Sequence, residues 1–227
     1  MLWVKTFFGI LFQTILLGIF LYLPALTLNW SDAFLLLTIH FLMTILASAY
    51  LLIVKPESIE ARMNYDSKTQ PKEDRMATAL MFSAIIVGLS LAPIDIFHLN
   101  LSSSFEGSIK NIGLAIYIIG MLLFMASLNA NEFAETTVNI QEERGQKVID
   151  TGIYSMVRHP MYTGFIFFII GVNIWLGTYL SLLLSLIFLA IALRSRIIIE
   201  EKTLLKDLEG YEDYCKKVKA RIIPYLL

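Results

Sequence analysis

The chain is short of the residues that build metal sites, disulfides and charged surfaces. It has one cysteine and three histidines in 227 residues, and charged types make up 16%. Cys215 cannot by itself form an intrachain disulfide or a cysteine-based zinc site. His40, His98 and His159 are dispersed, with no paired-His or H-E-x-x-H spacing, so no metal is expected. Eighteen Lys+Arg face 19 Asp+Glu, a net charge of −1, and without a basic field no nucleic-acid partner is expected. A G-x-G-x-x-G after a strand, a Walker lysine loop and a G-x-S-x-G elbow are also missing. A nucleotide-type cofactor therefore has to bind without a Rossmann fold.

What the chain has instead is apolar length. Hydrophobic types make up 57% and mean hydropathy is +0.69, well above a soluble domain. Runs of about 20 apolar residues are the mark of membrane helices, because backbone polar groups in lipid must pair within the segment. Val4–Leu28, Ala33–Val54, Met76–Phe97 and Ile109–Asn129 read as four spans. The first lacks the cleavage site and polar follow-on of a signal peptide and is expected to remain in the mature chain.

Tyr162–Leu193 would be roughly 48 Å long as one helix, against a bilayer core of about 30 Å. Asn173, Gly177 and Thr178 near its middle suit a turn that makes two short helices. Charge favours that hairpin. With it, and with a cytoplasmic N-terminus, all of the 18 Lys and Arg except Lys110 fall on the cytoplasmic side, Lys68 and Lys72 included. Beyond it, Leu204, Leu208, Tyr211, Cys215, Val218 and Ile222 form one helical stripe, with Gly210 as a candidate break. Such a helix should lie on the membrane surface or on the cytoplasmic face of the bundle. The fold expected is all-α: a polytopic transmembrane bundle of about five to six segments, the last two a short hairpin, with a C-terminal cytoplasmic amphipathic helix. With no internal repeat or low-complexity tract, residues 1–227 read as a single domain that opens with a helical hairpin over 1–54.

Polar groups concentrate in Asn131–Tyr162 and Arg194–Glu201. Arg158-His159-Pro160 offers a cation and an imidazole before a helix opened by proline, with free backbone N–H groups, a receptor for carboxylate or phosphate. It equally suits interfacial anchoring, with Tyr154 and Tyr162 in an aromatic belt. Arg196 and Glu200 stand four residues apart, either as an intrahelical ion pair or, with Glu201, facing a buried pocket. His40 reads as a hydrogen-bonded packing residue of the second span.

The run Gly152-Ile-Tyr-Ser-Met-Val-Arg-His-Pro-Met-Tyr-Thr-Gly164, the upstream Val138-Asn-Ile-Gln-Glu-Glu-Arg-Gly-Gln-Lys-Val-Ile149, and Arg196-x-x-x-Glu200-Glu201 followed by Gly210-Tyr-x-x-Tyr214 and Val218-x-x-Arg221-x-x-Pro224 resemble the isoprenylcysteine carboxyl methyltransferase family. The resemblance covers about the last 95 residues closely. It implies an integral membrane methyltransferase using S-adenosyl-L-methionine, with a cytoplasm-facing cofactor pocket and a cofactor-binding catalytic region over 131–227. By motif position the cofactor contacts fall on Gln146, Lys147, Val148, Ile149, Tyr154, His159, Pro160, Met161, Tyr162 and Glu200, with Glu201 added from the same motif. Arg196 matches the substrate-contacting arginine and Arg158 is a further catalytic candidate. The acceptor implied is lipophilic, a small molecule or prenylated peptide such as prenylcysteine, reached from the membrane lipid and methylated on its carboxylate. A sterol-type membrane reductase using NADPH shares an R-H-P-x-Y ending and is the rival enzyme. A non-catalytic membrane subunit is the rival of another class.

Overall fold

A computed structural model describes residues 1–63, 72–135 and 140–224. Lys68, Val138, Asn139 and the side chain of Lys72, used above, lie outside the described residues. The described chain is almost wholly helical: α1 (Leu2–Ala25), α2 (Ser31–Val54), α3 (Pro56–Met63), α4 (Lys72–Ile94), α5 (Gly107–Ala130), α6 (Pro160–Leu176), α7 (Tyr179–Asp207) and α8 (Tyr211–Lys217). Five stretches are long and apolar enough to span a membrane: α1, α2, α4 with the π turn that follows it, α5 and α7. α6 is apolar but only 17 residues long. Large apolar side chains such as Phe8, Phe12, Leu23, Phe34, Leu183 and Ile191 point outward, as a lipid solvent allows and water does not. The protein is an all-α integral membrane protein.

The hairpin expected within Tyr162–Leu193 is present, and its turn is Gly177-Thr178. Thr178 caps α7 reciprocally with Ser181, Thr178 Oγ1 accepting from Ser181 N at 3.2 Å and Ser181 Oγ from Thr178 N at 3.0 Å. A Cβ on Gly177 would fall 2.5 Å from the Asn173 carbonyl, so the tight reversal needs glycine there. Asn173 is buried and donates to Ile169 O at 2.9 Å. The expectation that both arms are short is corrected by α7. It runs 29 residues, because the helix-forming sequence through Arg194–Asp207 extends the apolar arm without a breaker.

Glycine also sets the tightest packing, between α5 and α6. Gly113 and Gly120 on α5 and Gly164 and Gly171 on α6 repeat at two-turn spacing. A Cβ on Gly171 would meet Tyr117 N at 2.3 Å, and one on Gly120 would meet Phe168 N at 2.6 Å. Backbones this close are the small-residue packing of membrane helices. The principal core joins Leu21, Leu36, Leu89, Tyr117, Met121 and Trp175 from five helices.

The stripe from Leu204 to Ile222 is not one helix. α7 ends at Asp207, Gly210 takes φ 83, and α8 follows. The bend lets Tyr211, Tyr214 and Val218 bury against Val148, Leu204 and Leu208. The amphipathic face therefore closes onto the end of the bundle.

Candidate active site

The start of α6 organises the site. Pro160 occupies the first helical turn, where its missing N–H costs nothing, and His159 takes the capping position. Some of the N–H groups expected to be free there are engaged, Tyr162 N donating to His159 O at 3.0 Å. Arg158 N donates to Ala220 O at 3.0 Å and His159 N to Arg221 O at 2.8 Å. Arg158 Nη1 donates to the Val218 carbonyl at 2.7 Å and Thr163 Oγ1 to the Ile222 carbonyl at 2.6 Å. The tail after α8 is a strap laid along residues 158–163.

Glu201 fastens that strap. Its Oε1 accepts from Arg158 Nε at 2.8 Å and lies 3.2 Å from His159 Nε2, while Oε2 accepts from Arg221 Nε at 3.0 Å. Burial alone would lower the Arg158 pKa, but the hydrogen bond and charge of Glu201 outweigh it and raise it. Glu201 thus holds the walls together, and it does not line the pocket.

Glu200, one residue earlier, points to the other side. Tyr162 donates to its Oε2 and accepts from Arg196 Nε at 3.1 Å, so the path from Arg196 to Glu200 runs through a phenol on α6. Arg196 Nη1 donates to Asp74 and, at 2.9 Å, to Thr78 Oγ1, both on α4. His159 Nδ1 lies 3.8 Å from Glu200 Oε1, and the His159 and Tyr162 rings stack with centroids 5.4 Å apart.

The segment before α6 supplies the third wall. Gly145 and Gly152, with φ 62 and 59, let it fold back in two tight turns. Tyr154 on the second turn is buried, which raises its pKa, and its carbonyl accepts from Tyr214 Oη at 2.7 Å. Gln146, Lys147, Val148 and Ile149 line the same pocket as Tyr154, Arg158, His159, Met161 and Tyr162, and as Arg196 and Glu200 from α7. The Gln146 side chain is turned back, its Oε1 accepting from Gln141 N at 2.7 Å. Pro160 is buried and shapes the helix start without lining the pocket.

Sequence reading missed Asp74, which is wholly buried against Arg196. Its signal was an acid within the charged run Lys72-Glu73-Asp74-Arg75 at the head of an apolar run. It also missed Asn131, Phe133 and Glu135, which line the pocket. Burial raises the Glu135 pKa, with the charges of Arg144 and Arg62 opposing. Among the described residues no group of three or more His, Cys, Asp or Glu is arranged to hold a metal.

Fold and site define a class: a helical membrane protein whose polar pocket is built at one end of the bundle from the loop before α6, the end of α7 and the C-terminal strap. The phospholipid methyltransferase family model matches residues 109–209. Protein-S-isoprenylcysteine O-methyltransferase of Schizosaccharomyces pombe is 33% identical over 98 residues, 43% of this chain and 42% of that protein. Delta(14)-sterol reductase of Saccharomyces cerevisiae is 32% identical over 152 residues, 61% of this chain and 34% of that protein. The solved structure of a eukaryotic intramembrane Ras methyltransferase, an isoprenylcysteine carboxyl methyltransferase, superposes with TM-score 0.58 at 21% identity. That superposition covers 98% of this chain and 82% of that one, and the likeness is one of fold. The chain spans about half the length of the curated methyltransferases it matches. The chain is thus similar over part of its length to phospholipid and isoprenylcysteine methyltransferases, and it shares the fold of the latter.

Proposed function

We propose that the protein is an S-adenosyl-L-methionine-dependent membrane methyltransferase that methylates the carboxylate of a lipophilic acceptor such as prenylcysteine, with the pocket and both termini on the cytoplasmic side. The observation that carries this reading is the convergence of Tyr154, His159, Tyr162, Arg196 and Glu200 on one pocket at the end of a membrane bundle.

The donor set fits the cofactor. Glu200 offers a carboxylate for an ammonium or ribose hydroxyls, His159 an imidazole for a carboxylate, and Tyr154 and Tyr162 aromatic faces for a sulfonium. The pocket is about 90 Å³ and partly open, so a ligand the size of the cofactor extends beyond it. S-Adenosyl-L-methionine, when bound, supplies an electrophilic methyl group. A carboxylate acceptor is already ionised at neutral pH, so the residues need to align it and exclude water, with no general base. Arg196, held in place by Asp74 and Tyr162, is suited to orient that carboxylate by a charge-assisted bond. Arg158 keeps His159 in position through their shared partner Glu201.

The test is a thermal-shift measurement on the purified protein with S-adenosylhomocysteine and, separately, NADPH, followed by labelled-methyl transfer into a prenylcysteine analogue and a membrane lipid extract. Stabilisation by the first ligand alone, with label in a carboxyl ester, is expected. Stabilisation by NADPH alone would transfer the reading to the reductase, which the match to the sterol reductase keeps as the specific rival.

A further inference from the structure

Helix α5 ends without a base of its own in the last turn, although the carbonyls there lack intrahelical partners and carry the negative end of the helix dipole. Donors reach them from the segment around α3. Lys55 Nζ donates to the Asn129 carbonyl at 2.5 Å, and Arg62 Nη2 to those of Leu128 and Asn131 at 3.3 Å. The contact continues past the helix end. Ser58 Oγ donates to the Glu132 carbonyl at 3.2 Å and Arg62 Nε to that of Ala134 at 2.9 Å. Lys55, Ser58 and Arg62 recur at steps of three and four, one side of a helix. Glu57 and Glu60, on the other side, are exposed, and Ile59 packs with Leu51 and Leu52.

The stretch that α3 grips is a wall of the candidate active site. Asn131, Phe133, Ala134 and Glu135 line its pocket, and Arg62 does not. Asn131 Oδ1 accepts from Phe133 N at 2.9 Å, and the Asn131 side chain hydrogen-bonds the phenol of Tyr154, another lining residue. On its far side the wall is held from the pocket loop, Gln141 Nε2 donating to the Phe133 carbonyl at 2.8 Å and Arg144 Nη1 to that of Glu132 at 3.4 Å. Those two residues belong to the loop itself, so past the end of α5 it is α3 that ties the wall to the membrane bundle. Burial lowers the Arg62 pKa to about 10, with the charges of Glu135 and Tyr154 opposing. It is a cation at neutral pH, and its hydrogen bonds to carbonyls are of the stronger, charge-assisted kind.

We propose that Arg62, assisted by Ser58, is a positioning residue for the cofactor pocket: it holds residues 131–134 and, through Asn131, the Tyr154 ring in the places where the methyl donor binds. It acts through backbone carbonyls of the wall and not by contact with the donor. The guanidinium fork spans Leu128, Asn131 and Ala134, and so fixes the shape of the turn that leaves α5. α3 lies outside residues 109–209, which the family model matches, and the pocket therefore depends on a segment from the first half of the chain. The effect on the cofactor rests on the function proposed above, whereas the holding of the wall does not.

Two readouts on the detergent-solubilised full chain test this. Calorimetric titration with S-adenosylhomocysteine separates affinity from the fraction of protein able to bind, and hydrogen exchange follows the Phe133 and Ala134 amides. Arg62→Gln is expected to weaken affinity about 10-fold at unchanged stoichiometry, as loss of hydrogen bonds from a charged donor implies, and to speed exchange at both amides about 10-fold. Arg62→Lys keeps the charge without the fork and should fall between that variant and the wild type. Ser58→Ala should weaken affinity about threefold, and Glu60→Gln, on the exposed side of α3, should match the wild type in both readouts. A residue that serves stability alone would lower the stoichiometry and leave the affinity of the folded fraction unchanged. That result, wild-type affinity in Arg62→Gln, or unchanged exchange there overturns the proposal. Where Arg62→Gln fails to fold, Ser58→Ala decides by the same two readouts, and wild-type values in it overturn the proposal. Absence of binding to the wild type overturns the methyltransferase reading instead, and exchange in Arg62→Gln then decides alone whether α3 holds the wall.

Discussion

Arg196 on α7 is held by Asp74 at the start of α4, although 122 residues separate them in the chain. Both side chains are almost completely withdrawn from solvent. The pair carries the arginine that the proposed chemistry needs, and it ties the α6–α7 hairpin to the first half of the molecule.

Removing one member of a buried pair strands the other charge, at a cost of about 3–5 kcal/mol. Asp74→Ala is therefore expected to lower the stability of the detergent-solubilised protein by about 3 kcal/mol, with a smaller loss in Asp74→Asn, which keeps a hydrogen-bond acceptor. Thermal unfolding of the two variants beside the wild type checks both the loss and its order. An unchanged melting temperature in Asp74→Ala would remove the pair from the account of the fold.

The Tyr162 hydroxyl is the link between Arg196 and Glu200. Tyr162→Phe keeps the ring that stacks on His159 and deletes only this link. A hydrogen bond to a charged group is worth about 1.5–3 kcal/mol, so labelled-methyl transfer is expected to fall about 10- to 100-fold. The melting temperature should change much less than in Asp74→Ala. Full activity in Tyr162→Phe would mean that Arg196 and Glu200 work independently.

Gly171 has no room for a methyl group, since its Cβ would sit 2.3 Å from Tyr117 N. Gly171→Ala must push α5 and α6 apart, an overpacking cost of about 1–3 kcal/mol. Gly9, on α1, has nothing within 4 Å of the same position, and Gly9→Ala is expected to be neutral or stabilising by up to about 1 kcal/mol. Opposite signs of the two melting-temperature shifts separate packing from helix propensity.

The proposed topology places both termini in the cytoplasm. Fluorescent-protein fusions at either end should fluoresce, and an alkaline-phosphatase fusion after Lys110 should be active while one after Lys147 should not. An active phosphatase after Lys147 would invert the orientation and move the site to the opposite side.

Much of this protein is legible along the chain because membrane helices announce themselves by length and polarity alone. Four spans, the turn near Gly177 and the concentration of polar residues before α6 and after Leu193 require no knowledge of what touches what. Other signals were present but ambiguous in one dimension. The repeats Gly113/Gly120 and Gly164/Gly171 are visible in the sequence, yet only the approach of two backbones gives them meaning.

The sequence by itself determined that the chain enters lipid, that it folds back in the neighbourhood of Asn173, Gly177 and Thr178, and that its chemistry-bearing residues lie in two clusters. Each of these follows from local composition and from the need to pair every backbone amide in a medium without water. Only the tertiary structure decided the division of labour between adjacent carboxylates: Glu200 turned to the pocket, and Glu201 turned to the strap. It alone also brought Asp74 to Arg196. Neighbours in sequence leave a helix about 100° apart, and which direction is buried is set by partners from distant segments, which no local pattern records.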